Sequence, residues 1–561
     1  MNDWKQTQFG KEYDAFRQEL DDYYAAYPTD VSALEQELDE KSRLQPQAGA
    51  MEKKTWIYEL AAEKCRVKLF RHCPFYFEVD TGAPRNLAGS CFPPIPGLGS
   101  WLMRRDTSGL EQEFQNWIAP YVQEDALNST MYVDCAHHAM GVGNVLRYGL
   151  RGLQRQAQAR LQTETDVEKQ TFLRCVIRAE DAVMRLCARF ADEAERLCGT
   201  ERDLVVQARL ARIAISARRC PAEPAETFFE ALNTMLLLKE LGNGLESMGF
   251  AILGHVDRVL APYYARDVQL GRLTAAQAQE LVYWFCAMTD AKWDLSQALY
   301  GTNTAMSIGG CDENGTPVFN DITRWVLQCY LDCGLINPKV QARFAPDAPE
   351  EYYQLVAQLA ASGRNVLSVF NDRTIIAAQM RMGKQEADAR LYLNGGCQEV
   401  LLADMEVNSR ATCYLSPCRY LEMMLEPDGT VFFDREHIVP YDVLAAPDFE
   451  TFYHRVMRNL SMIVNAVAWH YNGFEKRWAA YNPCPFFSST ITGCIEKAQD
   501  VSQGGAIYNN SGFALVGLAD FIDSLYAIKE AVYEQKRYTL AELTAMPVSY
   551  THLTLPTNRE V

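Results

Sequence analysis

Beyond about residue 300, short strand-like runs alternate with helical patterns, and that alternation restricts what the chain can fold into more than any other feature. The run TNTAMSIGG is followed by the turn signal Asn314-Gly315, and PKVQARF, NVLSVFNDR and ARLYLNGG read as further strands. Helical patterns such as EEYYQLVAQLAASG separate them. Strands joined through helices argue for an α/β sheet or barrel rather than a sandwich or a bundle. The first third reads mostly helical. Residues 143–219 carry apolar positions at helical spacing with charge between them, and CPAEPAETFFEALNTMLLLKEL supplies prolines and then a long apolar helix. Thr274 and Gln277 form a capping-box pattern, after which Leu281, Val282, Phe285, Cys286 and Thr289 line one helical face. With no short repeat and no low-complexity linker, a single large catalytic domain with an elaborated helical N-terminal part is the simplest arrangement for 561 residues.

Composition excludes several partners. A net charge of -18 argues against nucleic acid and against anionic membrane surfaces. No apolar run approaches the length that spans a bilayer, and MNDWKQTQFGKEYD lacks the regions of a secretory signal. The 17 cysteines are scattered without a CxxC pair, which suggests reduced thiols in a cytoplasm rather than a disulfide framework. Only eight histidines are present and none is in an HExxH spacing, so no metal site is expected.

Within the strand-rich half, NGGCQEV (Asn394 to Val400) places Cys397 and Glu399 two residues apart behind Gly395 and Gly396. In extended backbone such residues point to one face, about 6–7 Å apart, and could address neighbouring atoms of one small substrate. The glycines permit positive φ and close backbone approach. Locally, a hairpin tip with a buried cysteine and an exposed glutamate explains the stretch as well.

Several segments together resemble the glycyl radical enzymes of the pyruvate formate-lyase-like superfamily. They are HHAMGVGNVLRYGLRGL, CPAEPAETFFEALN, GHVDRVLAPYYARD, GRLTAAQAQEL, SVFNDR, GGCQEV, GCIEKAQDVSQGGAIYN and DSLYAIKEAVYE, in the family's order over roughly residues 55–546. The resemblance implies a ten-stranded α/β barrel entered from one side by a cysteine loop and from the other by a glycine-bearing loop. It also implies a glycyl radical installed by a separate S-adenosylmethionine/iron–sulfur activase, a small-molecule substrate and a homodimer. Cys397 then becomes the thiyl site and Glu399 the base for a neighbouring hydroxyl proton. Pyruvate formate-lyase itself is similar but carries two adjacent cysteines. Gln398 follows Cys397 here, so formate acetyltransferase activity is disfavoured.

The Cys-x-Glu arrangement resembles that of the dehydratases, of some C–N and C–S lyases and of some arylacetate decarboxylases. Gln398 and Val400 depart from the more usual Cys-Val-Glu-Pro, which leaves the substrate open. A dehydratase of a small hydroxylated metabolite is the leading expectation, with a catalytically silent scaffold as the alternative from another class. His137 or His138 matches a family histidine near the substrate, and either equally suits a helix entry satisfied by backbone. Asn371 and Asp372 in FNDR match a family position close to the barrel, where the resemblance implies substrate binding, and a turn ending a strand explains them equally well.

The family's radical glycine sits in an Arg-Val-x-Gly-Tyr-type motif near the C-terminus, and no such motif occurs in this sequence. A capping box at Thr539 and Glu542 opens a helix that soon meets Pro547. The final PVSYTHLTLPTNREV is similar to translated sequencing-adaptor DNA. The expectation is therefore one pyruvate formate-lyase-like domain over residues 1–546 and a foreign tail over 547–561, with the chain as written inactive.

Overall fold

The computed structural model describes residues 4, 7–26, 30–83, 85, 97–106, 108–128, 135, 137–248, 251–292, 304–396, 399–426 and 440–545. The chain divides into two compact units, each discontinuous in sequence. One comprises Met1–Thr107, Tyr132–Arg410 and Lys476–Ser511, and the other Ser108–Met131, Ala411–Glu475 and Gly512–Val561. The anticipated tail at 547–561 lies outside the described residues.

Ten strands are described: β1 (Val67–Lys68), β2 (Glu78–Val79), β3 (Leu127–Asn128), β4 (Ala305–Gly309), β5 (Lys339–Phe344), β6 (Leu367–Asn371), β7 (Tyr392–Asn394), β8 (Val400–Leu402), β9 (Glu406–Leu415) and β10 (Tyr508–Leu515). They fall into four small sheets, ordered β1-β2, β10-β9-β3, β4-β5-β6 and β7-β8. The mixed α/β character read from the alternation beyond residue 300 therefore holds. The closed ten-stranded barrel does not appear among the described residues. A physical reason is visible at β4: the backbone at Ile252–His255 runs alongside it with too few ladder bonds to form a strand. Leu253 N donates to Ala305 O, Ser307 N donates to Gly254 O, and Ile252 N donates in turn to His138 O. The array thus runs from β6 through β5 to β4 by full ladders, thins to two hydrogen bonds and one bridge at Ile252–His255, and ends in a single bond to His138.

The antiparallel hairpin β7–β8, with Leu393 paired to Leu401, packs on this array. Leu393 and Leu401 are buried against Ala139, Ile252 and Ala305, with Ala403 alongside. Period 2 explains the pattern: Glu399, Leu401 and Ala403 share one face of the returning strand. Leu401 meets Ala139, so Glu399 is carried toward residue 137.

Helices build the rest of this unit. Thr227 and Glu230 close a capping box on Phe228–Glu246, a helix apolar nearly all round and therefore sunk in the core. Thr274 and Gln277 close the anticipated box on Ala275–Ala291, whose Leu281, Val282, Phe285, Cys286 and Thr289 are all buried. The helix Val142–Thr163 breaks at Gly149, whose φ is 65°; there a Cβ would lie 2.5 Å from Ala222 O. Only glycine fits that bend.

In the second unit the helix Phe449–Glu475 packs its Tyr471 and Phe474 on Phe114 of Leu110–Gln123, at 5.9 and 5.2 Å between ring centroids. No helix of the described residues is long and apolar enough to cross a membrane.

Candidate active site

The hairpin tip closes through Gly395 N, which donates to Glu399 O at 2.6 Å. Cys397 and Gln398 lie outside the described residues. Gly395 does not adopt positive φ; its role is close approach. A Cβ there would sit 3.0 Å from Glu399 Oε2 and 3.1 Å from His137 O. The glutamate of this hairpin tip is not solvent-exposed. Its side chain is 11% accessible, and its Oε1 lies 2.9 Å from His137 Nδ1, itself 10% accessible. The structure thus joins two residues 262 positions apart in sequence.

The adjacent histidines separate cleanly. His137 takes φ 63°, a left-handed conformation that turns it away from the path of its neighbour. His138 is fully buried, and its Nε2 accepts a hydrogen bond from Asn408 N at 2.9 Å, which leaves the ring proton on Nδ1. His138 therefore serves the backbone of β9, and His137 serves the carboxylate.

Two anchors hold the histidine segment. At the helix start, Gly141 N donates to Thr490 Oγ1 (2.9 Å) and Gly143 N to Asp404 Oδ1 (3.1 Å). Asn144 Nδ2 reaches Thr490 O, Thr492 Oγ1 and Asp404 O. Asp404, just beyond β8, thereby ties the far end of the hairpin to the helix that follows His137. Burial pushes its carboxyl up to about 6, against the pull of Gly143 N–H and of the Arg258 guanidinium. None of these residues was singled out from sequence. Thr490 and Thr492 lie just ahead of GCIEKAQDV, while Gly141, Gly143 and Asn144 fall inside HHAMGVGN, whose excess of small residues was the available signal.

Asn371 and Asp372 are placed elsewhere. Asn371 caps the helix Asp372–Arg381 by accepting from Thr374 N at 3.3 Å. Asp372 is buried and grips Arg343 from two sides, Nε to Oδ1 at 3.0 Å and Nη2 to Oδ2 at 2.8 Å. It also accepts from Tyr392 OH at 2.7 Å. Arg343 donates onward to Tyr392 O and Arg390 O, and its guanidinium lies 3.8 Å from the Tyr392 ring centroid. This cluster clamps the root of β7. Among the described residues, the hydrogen bonds of Asn371 and Asp372 run to Thr374, Arg343 and Tyr392 rather than to the Glu399–His137 pair.

Residues 103–553 match the family model described as pyruvate formate lyase-like. Among curated proteins, the chain is 26% identical to (2S)-3-sulfopropanediol dehydratase of Klebsiella oxytoca, over 73% of this chain and 52% of that protein. It is 25% identical to an isethionate sulfite-lyase of Desulfovibrio desulfuricans, over 72% of this chain and 50% of that protein. It is 26% identical to trans-4-hydroxy-L-proline dehydratase of Clostridioides difficile, over 76% and 56%. The chain spans about half the length of these relatives. Two solved structures share the fold. Hydroxyproline dehydratase from Clostridioides difficile superposes with a TM-score of 0.77 at 19% identity, over 94% of this chain and 72% of that one. The glycerol-bound B12-independent glycerol dehydratase from Clostridium butyricum does so at 0.75 and 19%, over 95% and 72%.

Proposed function

Because the chain belongs to the pyruvate formate lyase-like family of glycyl radical enzymes, we propose that it is the catalytic part of a radical lyase that eliminates water from a small hydroxylated metabolite. The observation that carries this reading is the largely buried carboxylate–imidazole pair of Glu399 and His137 at 2.9 Å, with Cys397 two residues before Glu399 in the sequence. A glycyl radical installed by a separate activase supplies the one-electron oxidation that turns the Cys397 thiol into an acceptor of hydrogen atoms.

The chain's own residues do the rest in this proposal. Cys397 removes the hydrogen from a carbon that bears a hydroxyl, a bond no side-chain base can deprotonate. The hydroxyl proton becomes more acidic beside the unpaired electron, and Glu399 accepts it. The neighbouring carbon–oxygen bond then breaks, and His137 gives a proton to the departing hydroxide, which leaves as water. Cys397 returns its hydrogen atom to the organic product. At that point Glu399 holds one proton too many and His137 Nε2 one too few. The released water can relay the proton from the Glu399 carboxyl to Nε2 while Nδ1 stays on the carboxylate, so each turnover is neutral overall. Low exposure at both side chains keeps bulk water from competing for it.

Names among the relatives favour one alternative of the same class: the sulfite-lyase points to carbon–sulfur cleavage, in which the leaving group needs no proton from His137. Product analysis of the activated, full-length gene product tests the reading. Aldehyde or ketone with loss of water supports the dehydratase, free sulfite supports the C–S lyase, and consumption of neither hydroxylated nor sulfonated substrates contradicts the proposal.

A further inference from the structure

The facing surface of the parallel sheet carries a polar row. His255 bridges to Ser307, Ser307 is the register partner of Gln341, and Gln341 is the register partner of Ser368. Two members of this row reach the hairpin tip. Asn394 N donates to Ser307 Oγ at 3.3 Å, Ser307 Oγ donates to Gln341 Oε1 at 3.1 Å, and Gln341 Nε2 donates to Gly395 O at 2.6 Å. Gly395 O can only accept, so it settles which way the carboxamide points. The bonds form a closed circuit from one hairpin residue, through two strands, to the next hairpin residue. Both Ser307 and Gln341 are buried, where such a chain is worth more than its separate links.

Gly395 is the hub of the tip. Its carbonyl is held by Gln341, its N–H holds Glu399 O, and its missing side chain leaves room for the Glu399 carboxylate. The hairpin beneath has only three residue pairs, too few to fix a five-residue tip alone. We propose that Gln341, oriented by Ser307, is a positioning residue that sets Glu399 against His137 through the Gly395 peptide. The proposal rests on the catalytic reading of that tip for its consequence, but its structural half stands apart.

The test uses the full-length gene product and two readouts. Hydrogen exchange of the segment 391–402 is measured in the wild type, in Gln341→Met, which keeps length but not the hydrogen bonds, and in Ser307→Ala. Exchange should quicken about tenfold or more in this segment, with the exchange of Phe228–Glu246 unchanged. Ser307→Thr, which retains the hydroxyl, should restore the wild-type rate. Equal acceleration in both segments, or none in 391–402, overturns the proposal. Where Gln341→Met does not fold, the Ser307 pair decides by the same criteria. After activation, Gln341→Met should lower kcat on the order of tenfold to a hundredfold with KM within about twofold. A raised KM at unchanged kcat would overturn the positioning role. A wild type that turns over nothing, with the exchange pattern as expected, would count against the lyase reading alone.

Discussion

Replacing Asp372 by alanine distinguishes a structural clamp from a substrate ligand. In the native fold the Arg343 side chain is 0% accessible and that of Asp372 is 1%. The guanidinium donates two hydrogen bonds to the carboxylate and two to carbonyl oxygens, and Tyr392 OH donates a third to Asp372. Burial alone would disfavour the charge on Arg343, yet its partners hold its pKa above the ordinary value. Removing the carboxylate leaves a buried cation without its counter-charge, which costs about 3–5 kcal/mol. The unpaired Tyr392 hydroxyl adds about 1 kcal/mol more. Urea unfolding followed by far-ultraviolet circular dichroism should show a midpoint lowered by on the order of 1 M or more. Asp372→Ala combined with Arg343→Met should recover most of the loss, since an apolar pair of similar volume is often as stable as a buried ion pair. A single variant within about 1 kcal/mol of wild type, or one that changes only KM, would refute the clamp and restore the substrate-binding expectation.

Other consequences are as direct. Gly395→Ala should keep the fold but displace Glu399, because the added carbon lands 3.0 Å from Oε2; kcat falls at least about tenfold, read by steady-state kinetics. Glu399→Gln should lower kcat by about 10²–10⁴ and leave the organic radical signal unchanged, since only the proton acceptor is lost. Asp404 provides a pH test. Its folded pKa of about 6 lies above the ordinary carboxyl value of 3.8, so the folded state binds more protons between those limits and stability falls as pH rises through them. Asp404→Asn should therefore be the more stable at pH 7, by up to ~3 kcal/mol, with the difference vanishing below pH 4 in urea titrations.

Much of the local structure was legible because its causes are local. The capping boxes at Thr274 and Thr539 close as their residue types require. PKVQARF and NVLSVFNDR form β5 and β6, and Asn314-Gly315 turns with Gly315 at φ 88°. The spacing of Cys397 and Glu399 is a local, period-2 reading; the structure describes only Glu399 of the two. What remained hidden depends on register between distant segments. Nothing near HHAMG tells which histidine meets Glu399; the choice follows from Leu401 packing on Ala139 and from the left-handed turn at His137. Gln341 and Ser307 read as ordinary polar positions in two strands, and only their parallel pairing makes them one device. Asp372 was marked as a candidate by family resemblance alone, and the sequence around it carries no sign of its buried partner Arg343, 29 positions away. Barrel closure came from family resemblance alone, and the described strands do not close.

In the proposed reaction Cys397 is the atom-transfer residue, and its replacement by serine decides whether it is. The full-length gene product and its Cys397→Ser variant are activated anaerobically, and the organic radical signal and substrate consumption are measured in the same samples. The expected result is a radical signal of similar size in both, with hydroxylated substrate converted by the wild type only. Conversion by Cys397→Ser at the wild-type rate would show that another residue transfers the hydrogen atom.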